Sequence, residues 1–215
     1  MDGAEHLEHM NSLTQTFSVL ADTKHPVDPL ALHVLSDLEP EEVEKFQSWW
    51  LDVCLSRRVE IMLALQDISE DRPGFIFDQI ARIALLTDPS GEVRAEAIPN
   101  LRDDPSEGLM NTLVQVMQQD PSHACRAAAA RGLGKYVYLH ETEDLSLKQG
   151  RRVVGALLKV VERDTELLVR CMALESLGFS SCVKVQDIIE DACQDGDEIS
   201  LCSALRAMGR SYDAD

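Results

Sequence analysis

The sequence predicts an all-α protein, a solenoid of about five helix pairs behind an N-terminal helical cap. Three observations carry that expectation. The stretch from Asp120 to Gly134, DPSHACRAAAARGLG, sets a frame: Arg six residues after the Asp, small residues at nine and ten, Leu at thirteen, Gly at fourteen. The frame recurs as Asp88, Arg94, Ala97, Ile98, Leu101 and as Asp164, Arg170, Ala173, Leu174, Leu177, Gly178, with weaker copies from Asp52 (Arg58, Ile61, Met62, Leu65) and Asp195 (Leu201, Ala204, Leu205, Met208, Gly209). The copies lie 36, 32, 44 and 31 residues apart, the period of stacked helix pairs and not of a closed single core.

Within the frame, positions five, nine and thirteen, with two, six and ten beside them, fall on one face of a 3.6-residue helix. For the copy at Asp120 that face holds Cys125, Ala129, Ala130 and Leu133. Asp120 is expected to cap the helix entrance, with Pro121 at the first helical position, where its missing N–H costs nothing. Gly134, Gly178 and Gly209 are expected to turn the chain at positive φ after each helix.

Residues 1–37 lie outside the frame and are expected to form the cap. Leu7, Met10, Thr14, Phe17 and Ala21 follow a helical spacing, residues 24–29 break it, and residues 30–38 offer a second short helix. Residues 1–52 carry 11 acidic and 2 basic side chains, half of the net charge of −18. That segment reads as a solvated cap, the alternative being an acidic docking surface for a basic partner. The solenoid is expected to occupy residues 38–215. Its first pair runs from Pro40 to Asp67, with acidic residues suited to the helix N-terminus and Phe46, Trp49 and Trp50 as bulk, one Trp inward and the other partly exposed. Phe75 to Leu86 opens the second pair, whose partner helix should bend or end at Pro99. The third pair is SEGLMNTLVQVMQQ and the Asp120 frame. An insertion at about 136–149 then explains the 44-residue spacing: a helix extended through Tyr136 and Tyr138, followed by an acidic loop. The fourth pair, RVVGALLKVVER and its partner, is the most apolar. The fifth is VKVQDIIEDACQDG with ISLCSALRAMG, and no capping helix is read after Gly209. The last layer is therefore expected to be truncated, a contact surface, or closed by self-association.

The segments DPSGEVRAEAIPNL, DPSHACRAAAARGLG and DTELLVRCMALESLG resemble the HEAT repeat, in the short form also found in phycobilisome-lyase-type proteins. The resemblance covers roughly residues 38–210. It implies a right-handed α–α superhelix and a non-enzymatic scaffold or adaptor that binds another protein or peptide. It also implies that Asp88, Arg94, Asp120, Arg126, Asp164 and Arg170 form a structural ladder between neighbouring repeats. In such proteins the second helix of each pair lines the concave face. Positions four, eight, eleven and fifteen of the frame should meet ligands there. They read Glu92, Glu96, Pro99, Asp103, then Ala124, Ala128, Arg131, Lys135, then Leu168, Met172, Glu175, Phe179, with Ile199 and Arg206 in the fifth copy. The apolar set Leu168, Met172, Phe179 and Ile199, oriented by Glu175 and Arg206, is the candidate partner site. The competing reading is that a small rotation of the fourth repeat buries them.

Composition narrows the function classes. A net charge of −18 opposes a general nucleic-acid surface, which needs basic groups against phosphate. The only adjacent basic pairs are Arg57–Arg58 and Arg151–Arg152. No apolar run spans a bilayer and MDGAEHLEHM lacks signal-peptide features, so no membrane partner is expected. Six cysteines without a CxxC pair point to a reduced, cytoplasmic setting. Chemistry is sparse. HEAT-like di-iron hydroxylases take ligands from four His-Glu pairs, whereas this chain has one, His140-Glu141. His6 and His9 beside Glu5 and Glu8, or Cys171 with Cys202, are weak metal candidates. No metal, cofactor or catalytic residue is assigned. A bilin- or cofactor-handling lyase is the enzymatic alternative, and a nucleic-acid-binding HEAT protein is the other.

Overall fold

The computed structural model describes residues 13–72, 74–194 and 198–210, and every regular element among them is helical. The chain divides into two compact units, residues 1–103 and 104–215. His6, His9 and Asp195 lie outside the described residues.

In the first unit, residues 13–21 form α1. Then come α2 (Pro29–His33), α3 (Pro40–Trp50), α4 (Leu55–Asp71), α5 (Asp78–Thr87) and α6 (Gly91–Ala97), the last running into a 3-10 turn at Ile98–Leu101. First helices pack on first helices (α3 on α5) and second on second (α4 on α6), the two-layer stacking that the frame predicts. Glu39 and Glu42 form a reciprocal capping box ahead of α3, with Pro40 in the first turn. Pro99 cannot donate to the helix ladder, so the α-helix stops at Ala97 and the chain tightens. Trp50 is fully buried against Phe46, while half-buried Trp49 stacks on Phe17 at 4.4 Å. The segment between α1 and α2 is fastened to α4: buried Arg57 donates to the carbonyls of Asp22 and His25.

The second unit holds α7 (Glu107–Gln119), α8 (His123–Gly132), α9 (Gly134–Glu141), α10 (Leu147–Arg163), α11 (Leu167–Leu177), α12 (Val183–Gln194) and α13 (Glu198–Met208). Helices α8, α11 and α13 pack in succession, and α7, α10 and α12 pair with them in turn. Because α10 is amphipathic with a core stripe of Val153, Val154, Leu157 and Val160, the most apolar pair sits in the middle of this unit. The insertion is mostly the helix α9, which packs on α8, α10 and α11. Tyr136 makes it part of the core: its ring is fully buried and its hydroxyl lies 3.1 and 3.2 Å from the carbonyls of Asp104 and Ser106. The acidic loop follows, with Glu143 at φ 63°.

Two expectations of the frame are corrected. Asp120 closes α7 and does not cap α8; Ser122 does, accepting from the Cys125 amide. The Asp carboxylate instead takes the amide two residues on, at 2.8 Å from Ser90 to Asp88, 2.8 Å from Ser122 to Asp120 and 2.9 Å from Glu166 to Asp164, closing an Asx turn. Pro121 therefore belongs to the turn. The glycines are not there for positive φ either. Gly178 has φ −57°, and a Cβ on it would lie 2.4 Å from the Ala207 carbonyl oxygen; it permits close approach of α13 to α11.

Candidate functional site

Within each repeat the recurrent Asp and Arg are joined. Each Arg donates to the backbone carbonyl of the Asp that opens its own repeat: Arg94 to Asp88 at 2.9 Å, Arg126 to Asp120 at 3.0 Å, Arg170 to Asp164 at 2.9 Å. The guanidinium of Arg126 also reaches the next repeat, meeting both carboxylate oxygens of Asp164 at 2.9 and 3.0 Å. In the first unit Arg58 meets Asp88 at 2.9 Å, and the Trp50 indole N–H donates to the same carboxylate at 2.8 Å. One carboxylate thus ties its own turn and takes the Arg of the preceding repeat, so turn geometry and repeat stacking are set by a single side chain. Burial would raise the Asp164 carboxyl, but the Arg126 guanidinium and the Glu166 amide hold it below its ordinary value. Arg126 is raised by the same bond. Asp88 is 3% exposed and Asp164 is largely covered, which leaves these carboxylates little access to a ligand.

The candidate face lies on α11 and α13. Leu168 is 48% and Ile199 55% exposed, at the same frame position of neighbouring second helices. Met172 and Phe179 are half-buried. Phe179, just past α11, is held by the Arg210 guanidinium 5.4 Å from its ring centre and by the edge of Tyr138 at 5.8 Å. Glu175 is buried in spite of its outward frame position. It accepts from Ser203 at 3.1 Å and Arg206 at 3.0 Å, and Arg210 donates to its carbonyl at 2.8 Å. The fifth repeat covers it. Arg206 itself stays exposed, its guanidinium raised by the bond to Glu175. The structure therefore joins Glu175 to Arg206, and adds Ser203, Arg210 and Tyr138, which the frame did not single out. Ser203 and Arg210 stand at positions eight and fifteen of the fifth copy, so the frame itself held the signal; Tyr138 comes from the insertion and gave none.

Other candidates are placed as follows. Arg57 and Arg58 are buried and engaged internally, which withdraws one of the two basic pairs from any phosphate. Arg151 and Arg152 are exposed. Cys171 is buried and Cys202 exposed, and all six cysteines are free thiols. Among the described residues no three His, Cys, Asp or Glu side chains are grouped to hold a metal ion, and no helix is long and apolar enough to cross a membrane. In the first unit an open groove of about 900 Å³ is lined by Phe17 and Trp49 with Glu41, Glu44 and Asp52 around Lys45.

A family model of HEAT repeats matches residues 81–147. That span runs from α5 to the start of α10 and contains the second and third copies of the frame. No significant match is found among curated proteins. HEAT repeats generally serve as protein-interaction scaffolds and are typically non-enzymatic. The match places HEAT repeats at residues 81–147, and the helix pairs stacked in two layers with an Asp–Arg frame in register are consistent with that repeat family.

Proposed function

We propose that this protein is a non-enzymatic scaffold or adaptor that binds an apolar segment of another protein across α11 and α13. The observation that carries the reading is the pair Leu168 and Ile199. Two large aliphatic side chains occupy the same outward position on adjacent second helices, each about half exposed, where a surface helix ordinarily places polar groups. Met172 and Phe179 extend the patch, and Glu175 holds Arg206 at its edge. A bound helix or extended peptide would bury the aliphatic groups, while Arg206 would meet a carboxylate or a helix C-terminus and fix orientation. The Asp–Arg ladder (Asp88, Arg94, Asp120, Arg126, Asp164, Arg170) is assigned a structural role, because its carboxylates are spent on turns and on neighbouring guanidinium groups. Six free thiols suit a reducing compartment such as the cytoplasm.

The test is capture of binding proteins from the native cell with wild type and with Leu168→Asp and Ile199→Asp. Both side chains are exposed, so neither change should move the melting temperature. Specific prey should be lost from both variants. Prey retained by both would place the binding surface elsewhere, and a visible chromophore on the purified chain would favour the lyase alternative.

A further inference from the structure

A second surface lies on the outer edge of the fifth repeat, on a different stripe of α13. Frame positions ten and thirteen are buried in each of the first four copies: Met62 and Leu65, Ile98 and Leu101, Ala130 and Leu133, Leu174 and Leu177. In the second unit the reason is visible, because α8 has α11 packed against it and α11 has α13. On α13 the same positions are Leu205 and Met208, and they are 55% and 45% exposed. Leu201, one turn earlier, is 37% exposed. At 100° per residue these three lie together, while Ser203, Ala204 and Ala207 turn inward and Ile199, Cys202 and Arg206 occupy a third side. Cys193 of α12 approaches Met208, sulfur to sulfur at 3.6 Å, so the patch continues onto the other helix of the pair.

We infer that this face pairs with the same face of a second copy of the chain. The frame says what kind of surface covers these positions elsewhere: another helix of the same row, laid against it. Position six says which one. Arg58 and Arg126 at that position bond an Asp of the following repeat; here it is Leu201, so the face has no cation to offer such a turn and would leave that Asp unmatched. An uncharged stripe is needed opposite, and Leu201, Leu205 and Met208 are themselves one. The spacing i, i+4, i+7 is nearly symmetric about Leu205. Two α13 helices can therefore lie antiparallel, Leu201 of one against Met208 of the other and Leu205 near the axis, as an isologous contact requires. The pairing extends the α8–α11–α13 row across a two-fold axis. Each copy carries a net charge of −18, so approach is opposed at long range and added salt relieves it. A basic partner on this face would show the reverse salt dependence.

Sedimentation velocity of the full chain over a concentration series, at low and high salt, tests this. Expected are a reversible monomer–dimer equilibrium that strengthens with salt and a dissociation constant raised at least about tenfold by Leu205→Glu or Leu201→Arg. Leu168→Asp and Ile199→Asp, which probe the other surface, should leave it unchanged; the two readings thus fail separately. A monomer at all concentrations, a dimer weakened by salt, or a dimer indifferent to Leu205→Glu overturns the inference. Should both α13 variants unfold, a thiol-specific cross-linker on wild type decides the point. Linkage between the two copies through Cys193 or exposed Cys202 supports the pairing, and linkage only through exposed Cys54 or Cys182 overturns it.

Discussion

At the junctions opened by Asp88 and Asp164 a single carboxylate serves two partners, and this makes its removal costly in a graded way. Arg126→Ala removes both guanidinium bonds to Asp164, which keeps only the Glu166 amide, and the bond to the Asp120 carbonyl, and should destabilise the second unit by about 1–3 kcal/mol. Asp88→Ala should cost more, about 3–5 kcal/mol, because Arg58 then stays buried without its counter-ion and the Trp50 indole loses its acceptor. Thermal and denaturant melts rank the two; equal or negligible losses would return these residues to the pool of candidate ligand contacts. The Asp164 pair also predicts a pH dependence. Its carboxyl binds a proton more weakly in the folded chain than in the unfolded one. The stabilisation is therefore complete above the unfolded value of about 3.9 and is lost as the pH falls below it. In Arg126→Ala that acid-side loss should be smaller, as pH-dependent melts would show.

Two glycines separate backbone freedom from packing at the scale of the helix. Gly178 has an ordinary helical φ, so Gly178→Ala meets no conformational obstacle. Its new methyl would nonetheless lie 2.4 and 2.6 Å from the carbonyl oxygen and Cα of Ala207, backbone atoms that cannot rotate aside. A loss of about 1–3 kcal/mol is expected from overpacking, felt by α12 and α13. Gly155 sits inside α10 with nothing within 4 Å of its would-be Cβ. Gly155→Ala should stabilise by about 0.5–1 kcal/mol, the helix preference of Ala over Gly. Melts of the pair should shift in opposite directions.

At the scale of the whole chain, protection should follow how many core side chains each helix pair contributes. In the second unit α10 and α11 bury Val153, Val154, Leu157, Val160, Val169, Leu174 and Leu177, whereas α12 and α13 bury little beyond Val185, Ile189, Ala204 and Ala207. Hydrogen exchange should be fastest in α12 and α13 and slowest in α8, α10 and α11. Measured well below the dimer's dissociation constant, the contrast should be largest, and it should shrink as concentration rises and the α13 face is covered. Uniform protection at low concentration would contradict this.

The sequence by itself determined the helix pairs, their order and the Asp–Arg register. Each of these is written in local spacing: a 3.6-residue stripe, a Pro that stops α6, an Arg six residues after its Asp. That part of the candidate site was legible too, since Leu168 and Ile199 share a frame position and stand exposed. What the tertiary structure decided depends on how each repeat is rotated and seated on the next, which no single repeat encodes. Glu175 has an outward frame position yet is buried, because Ser203 and Arg206 reach it from the adjacent helix. Phe179 ends half-covered because Arg210 and Tyr138 lie against its ring. The carboxylates of Asp88 and Asp164 turned out to close their own turns while accepting the preceding Arg, and Gly178 turned out to serve a crossing of helices. A side chain's period tells which face of its helix it is on. Only the neighbour's position tells what that face meets.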